Sequence, residues 1–309
     1  MGARGALGQA VYDNLKDGRE MYVVSADLAY ASGFGRVIKE FPDAYLNVGI
    51  AEQNMIGIAA GLSRDGTPVI ATSWAMFAAV RAADQIRNFM GYMQSNIKLI
   101  GMDSGFAQSR FGYSHANPPD IAIMRAIPGI TIISPCDGTE IYKAVNAALD
   151  INGPVYIRLT GGQTLPIIYK EPDNTFETGK AVVLKDGSDV ALISCGNAVA
   201  NCLKAAELLE QNGVSTAVIN MHTISPIDKN TLDSLQEYKV IATIDEHLLH
   251  GGLGSAVAEH YCGQQTRPLH IMIGVDDNYP LPGSTLYTES NQGLAPEQIA
   301  SDVLANLRR

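Results

Sequence analysis

Glu52 is the one acid in the stretch "NVGIAEQNMIGIAAGL", Asn47–Leu62, where an apolar helix follows directly on a strand. A first-turn acid ordinarily does no more than complement the helix dipole. Here its neighbours are Gly49, Ile50, Ala51, Met55, Ile56 and Gly57. A carboxyl desolvated among such groups is pushed toward its neutral form and becomes a proton donor or a strong hydrogen-bond partner. Trp74 and Phe77, in "TSWAMFAAV", follow another strand. Packing in a core is the default for aromatics at that spacing. The functional alternative is a flat wall for a heteroaromatic ring, where offset stacking adds roughly 0.5–1.5 kcal/mol beyond burial. His115 lies in the Gly- and Ser-rich loop "MDSGFAQSRFGYSHANPPD", which begins near Asp103 and contains Phe111. A lone loop histidine is commonly solvated, and a lone arginine such as Arg4 or Arg158 is commonly a surface charge. The forked guanidinium nevertheless suits a phosphate, sulfonate or carboxylate.

Elements that alternate along the chain must position these groups. "MYVVSAD", "TPVIATS", "IKLIGMD", "ITIISP" and "PVYIRL" read as strands, rich in Val and Ile. "AEQNMIGIAAGLSRDG", "AAVRAADQIRNFM" and "GTEIYKAVNAALD" read as the helices between them. The turn-rich segment "TGGQTLPIIYKEPDNTFETGK" interrupts the pattern. A second series follows, with strands "DVALISCG", "STAVINMH" and "KVIATIDE" and helices "NAVANCLKAAELLEQNG" and "GGLGSAVAEHYCG". The expected class is α/β, with two three-layer domains over residues 1–165 and 179–309 and a linker at 166–178. Open parallel sheets bind ligands at the carboxyl ends of their strands. The loops there carry Asp27, Ser32, Glu52, Ser73 to Phe77, Asp103 to His115, and Arg158.

Composition narrows the function classes. The net charge of -10 over 309 residues argues against a nucleic-acid binder, which needs a basic face. Hydrophobic residues at 46% and charged ones at 17% give an ordinary globular balance. Cys136, Cys195, Cys202 and Cys262 form no CxxC pair and no cluster with zinc spacing, so reduced thiols are expected. No apolar signal core opens the chain, and no segment reaches the ~20 apolar residues of a membrane span. A soluble, cytoplasmic protein is expected. "TIDEHLLHGGLG" groups Asp245, Glu246 and His247, but its glycines fit a strand-to-helix turn, which makes the reading structural. No complete dinucleotide-binding glycine pattern stands at the first strand–helix turn.

In this order and spacing, "NVGIAEQNMIGIAAGL", "MRAIPGITIISPCDGTE", "GPVYIRL", "VINMHTISPID" and "EHLLHGGLGSAVAE" resemble the C-terminal, pyrimidine-binding subunit of a split transketolase, in the thiamin-diphosphate-dependent family. The resemblance runs over essentially the whole chain and implies a pyrimidine-binding domain followed by a transketolase-type C-terminal domain. It assigns Glu52 to N1′ of the cofactor's aminopyrimidine, where it favours the imino tautomer that activates C2. Phe77 matches the aromatic stacked on the pyrimidine, Trp74 a second pocket aromatic, and Asp27 a residue on the thiazolium side. His115 matches a residue that contacts donor hydroxyls and assists proton transfer. Arg4, Arg158 and Ser32 match groups holding the anionic end of the sugar.

The loop departs from the family pattern G-E-D-G-x-[ST]-H-Q. Gly112, Ser114 and His115 match, whereas Arg110 and Phe111 stand where acids are usual. Asp103 stands near a position where the family often has histidine. The acid replaced by Phe111 reads a substrate hydroxyl, so its loss should alter which donor is accepted. The family's GDG motif, which holds the metal and diphosphate, does not occur. The resemblance therefore implies a partner chain supplying the diphosphate-binding domain with its Mg²⁺, in an α₂β₂ assembly, and transfer of a two-carbon ketol unit from a ketose to an aldose. Alternatives in the same chemistry are a 2-oxoacid dehydrogenase beta subunit and an acyloin or deoxyxylulose-phosphate-type synthase. A catalytically silent scaffold subunit is the alternative outside enzymes.

Overall fold

A computed structural model describes residues 2–116, 119–161, 165–170 and 176–308. Strands β1 (Tyr22–Ser25), β2 (Tyr45–Asn47), β3 (Val69–Trp74), β4 (Ile97–Ser104), β5 (Thr131–Ile133) and β6 (Val155–Thr160) build the first sheet. Strands β7 (Val182–Lys185), β8 (Val190–Ser194), β9 (Thr216–Asn220), β11 (Val240–Leu248) and β12 (Leu269–Val275) build the second, in the order β12-β11-β8-β9-β7. β10 (Thr223–Ser225) belongs by sequence to the second half but pairs antiparallel with β5, giving the first sheet the order β10-β5-β6-β4-β3-β1-β2. All other pairings are parallel except β7 with β9. The two α/β domains of the sequence reading are thus present, with one strand shared across them.

β3, β4 and β6 are almost wholly buried, as their Val- and Ile-rich runs require of strands covered by helices on both faces. Helix Glu52–Leu62 packs Met55, Ile56 and Ala59 onto one face of the sheet. Helices Ala3–Lys16 and Gly138–Asp150 cover the other. Asp137 caps the latter through the Glu140 N–H. Its second carboxylate oxygen accepts from the N–H groups of Ile168 and Tyr169. Those bonds fasten the described start of the linker, while residues 171–175 and 162–164 lie outside the described residues.

The helix Ala3–Lys16 runs backbone against backbone on the loop after β1. A Cβ added at Gly8 would collide with the Gly33 carbonyl oxygen, and Gly33 has φ +86°. Gly8→Ala must push these two segments apart, and overpacking of this kind costs about 1–3 kcal/mol. A fall in melting temperature is the expected result; an unchanged melting temperature contradicts the packing. Among the described residues no helix is long and apolar enough to cross a membrane, and the four cysteines are free, three of them buried.

Candidate cofactor and substrate site

The carboxyl ends of β1, β2, β3 and β4 converge on one edge of the first sheet. β3 lies beside β1, while β2 lies on β1's other side, so successive connections diverge here. Such a switch point leaves a crevice that loops can line. Asp27, just past β1, adopts a left-handed backbone with φ 60°. Its carboxylate accepts from Asn47 Nδ2 at 3.0 Å, and Asn47 Oδ1 accepts from the N–H groups of Asp27 and Gly49 at 3.1 and 2.9 Å. This reciprocal pair clips the end of β1 to the turn that leads into Glu52.

Glu52 is 1% exposed. The surrounding helix is apolar as expected, but the carboxyl itself is not left in apolar company. Ser73 Oγ donates to Oε1 at 3.0 Å, and Arg81 Nη1 donates to Oε2 at 2.7 Å. Burying a carboxylate requires such partners. Arg81 sits at the end of Met76–Arg81, a π-helical segment opening the helix after β3; π-turns of this kind recur at functional sites. Its guanidinium also lies over the Phe77 ring, 4.2 Å from the centroid. Sequence reasoning does not single out Arg81, although it is the one cation in that apolar segment after β3.

Phe77 belongs to an aromatic group. The ring of His115 is 5.1 Å from Trp74, 5.5 Å from Phe77 and 5.3 Å from Phe111. Trp74 and Phe77 are 5.9 Å apart. Trp74 Nε1 is buried and, among the described residues, has no hydrogen-bond partner. Ser114 Oγ and His115 Nδ1 share a hydrogen bond at 2.9 Å. Half-exposed Phe111 forms the outer edge of the group. Contacts thus run from Glu52 through Arg81 to Phe77, and from Phe77 to Trp74 and to His115, whose ring reaches Phe111.

A cavity of 340 Å³ opens beside β4 and is lined by Arg4, Asp103, Gln108, Arg110 and Ser284, among others. Asp103 has φ 50° and is buried. Gln108 Nε2 donates to its Oδ2, and Arg4 Nη2 lies 3.7 Å from the same oxygen. Arg4 Nε and Gln108 Oε1 are buried, with no hydrogen-bond partner among the described residues. Arg4 and Arg110 give this cavity two guanidinium groups, which suit an anion.

Two further predicted substrate residues are buried in the structure. Ser32 is fully buried, with its hydroxyl 3.1 Å from Thr72 Oγ1, and ties the β1 loop to β3. Arg158 is also fully buried. Its Nε donates to both oxygens of Asp120, at 3.1 and 3.0 Å, and Nη2 donates to the Glu246 carbonyl at 2.7 Å. Burial pulls its pKa down, but Asp120 and then Asp245 outweigh that and the net shift is upward. Ser104 Oγ and Tyr156 Oη complete the carboxylate of Asp120, each donating at 2.7 Å. Arg158 thus joins the two domains. A sequence offers no sign of this, because Asp120 and Glu246 are distant along the chain.

The structural reading of "TIDEHLLHGGLG" agrees with the geometry. His247 is fully buried, its pKa is lowered by that burial, and its Nε2 accepts the Ala122 N–H at 3.2 Å. Glu246 accepts the Phe106 N–H at 3.1 Å, and burial, then Glu289, lifts its pKa to about 7.

Comparison with known proteins gives the same architecture a family. Residues 1–164 match the transketolase pyrimidine-binding domain, and residues 179–299 match the transketolase C-terminal domain. The chain is 32% identical to one of the subunits of the apulose-4-phosphate transketolase of Phocaeicola vulgatus, over 94% of this chain and 93% of that one. It is 36% identical to a 6-deoxy-6-sulfo-D-fructose transketolase subunit of a Clostridium species, over 92% and 87%. A solved split-gene transketolase, described as an inactive beta4 tetramer, superposes with TM-score 0.90 at 34% identity, covering 100% of this chain and 99% of that one. With both domains matched in order and relatives of similar length that are themselves subunits, the chain belongs to the transketolase family, as a C-terminal subunit of its split form.

Proposed function

We propose that this chain is the pyrimidine-binding subunit of a thiamin-diphosphate-dependent transketolase that moves a two-carbon ketol unit from an anionic ketose to an aldose. The observation that carries the reading is the buried Glu52 carboxylate beside the Phe77 face and the Trp74–His115 group. The unpartnered Trp74 Nε1 and the aromatic walls fit the ring end of the cofactor. Bound there, the cofactor would supply an electron sink for cleavage of the C–C bond beside a carbonyl. Glu52 holds the hydrogen bond to the ring nitrogen. Phe77 and Trp74 would hold the ring between aromatic faces, and Asp27 would border its thiazolium side. His115 contacts donor hydroxyls and moves a proton, and Phe111 replaces an acid there with an apolar edge. Arg4, with Asp103 nearby, receives the anionic end of the sugar in the 340 Å³ cavity.

The diphosphate and Mg²⁺ belong on a partner chain, a reading supported by the missing GDG motif and by relatives that are named as subunits. An α₂β₂ complex is the arrangement proposed. The four free cysteines support a cytoplasmic setting. Since one relative is named for a phosphorylated sugar and another for a sulfonated one, the donor is a ketose ending in one of these anions. Mixing the chain with its partner, thiamin diphosphate and Mg²⁺, and screening phosphorylated and sulfonated ketoses against aldoses, is expected to give ketol transfer. Activity of this chain alone would contradict the subunit reading. Release of CO₂ from a 2-oxoacid would move the assignment to the dehydrogenase class.

A further inference from the structure

Two features serve the ring of the cofactor in the reading above, the Glu52 carboxylate and the Phe77 face. One side chain engages both. Arg81 donates to Glu52 Oε2 at 2.7 Å while its guanidinium carbon stands 4.2 Å from the Phe77 centroid. The guanidinium is flat, carries N–H donors at its rim and stacks on aromatic faces. An aminopyrimidine shares those three properties. We propose that Arg81 is a positioning residue that stands in for the aminopyrimidine ring: it holds Glu52 and Phe77 in place while the ring is away and must swing outward to admit it. This rests on the proposed function.

The environment gives the device a physical reason. Glu52 is 1% exposed, and its other donor is the neutral Ser73 hydroxyl. Without Arg81 a buried carboxylate would lack a charged partner, which is costly. The Arg81 side chain is 46% exposed, so it has solvent to move into. When it leaves, its guanidinium is rehydrated and the incoming ring takes over the hydrogen bond to Glu52, so the exchange leaves no buried carboxylate without a partner. The two binding partners of the ring are kept from collapsing onto each other, and an incoming ring competes only with a side chain tethered nearby. The consequence is a reduced apparent affinity, because only the fraction of molecules with Arg81 swung out can bind.

The chain has a single tryptophan, Trp74, in the same aromatic group. 5-Fluorotryptophan placed in this chain alone gives one ¹⁹F resonance that reports ring binding in the full complex without any turnover. Thiamin diphosphate with Mg²⁺ is titrated into the complex carrying native Arg81, Arg81→Met or Arg81→Lys. Met keeps the bulk and removes the pairing, and should tighten the dissociation constant about tenfold by abolishing the competition. Lys keeps the charge but loses the flat stacking group, and should fall between. Equal binding by Arg81→Met overturns the stand-in role, and weaker binding overturns it and makes Arg81 a direct contributor to the site. If Arg81→Met does not assemble, Arg81→Lys decides: tighter binding supports the role and weaker or equal binding overturns it. Absence of any ¹⁹F response in the native complex overturns the thiamin reading, and this proposal with it.

Discussion

Glu52→Gln is expected to lower kcat of the reconstituted enzyme by about 10²–10⁴-fold, the range for loss of a positioned proton-handling group. The amide keeps the size of the side chain and an oxygen that can accept from Ser73 Oγ or Arg81 Nη1, the two donors seen in the structure. Fold and assembly should therefore survive, as checked by gel filtration and thermal melting. What is lost is the ionisable oxygen facing the ring. The variant separates catalysis from scaffolding: unchanged turnover in an intact complex would favour the silent-scaffold alternative. A KM that rises while kcat holds would instead place Glu52 in substrate binding.

Asp120→Ala should be the most damaging single change to stability. Asp120 is fully buried and accepts from Ser104, Tyr156 and, through both its oxygens, Arg158 Nε. Its removal leaves a buried guanidinium with Asp245 Oδ1 at 3.6 Å as its nearest remaining carboxylate. Stripping one partner from a buried pair costs about 3–5 kcal/mol. The expected readout is a large loss of melting temperature, with the Arg158→Met, Asp120→Leu double variant recovering much of it, since an apolar replacement removes the stranded charge. A mild effect of Asp120→Ala would show that water or Asp245 takes over the charge.

The α/β class is legible because β3, β4, β6, β8 and β11 are buried runs of Val and Ile, and their pattern depends on nothing remote. The helix Gly138–Asp150 can be read to its boundaries for the same reason, aided by the Asp137 cap. β10 is not legible: three residues ending before Pro226 carry no period, and their partner β5 lies about ninety positions upstream. β12 is partly exposed and carries too weak a signal to be singled out. In the site, Glu52, Trp74, Phe77 and His115 stand out by residue type and loop position. Arg81 does not, because a cation on a helix reads as a solvated face until its partners are seen. Arg158 differs in the opposite way: its chemistry suits an anion, and the anion it meets within the chain is Asp120. Residue type tells what a group can bind, and only tertiary geometry tells which of the available ligands has claimed it.

The strand β10 crosses from the C-terminal half to finish the sheet of the N-terminal half. Severing the peptide in the connecting segment would consequently yield a nicked protein whose pieces still share backbone ladder bonds. A truncated first half would expose the raw border of β5, an adhesive template for neighbouring chains. The two halves are thus poor candidates for modular exchange, and shuffling between relatives should succeed more readily with the crossing strand carried along with its sheet.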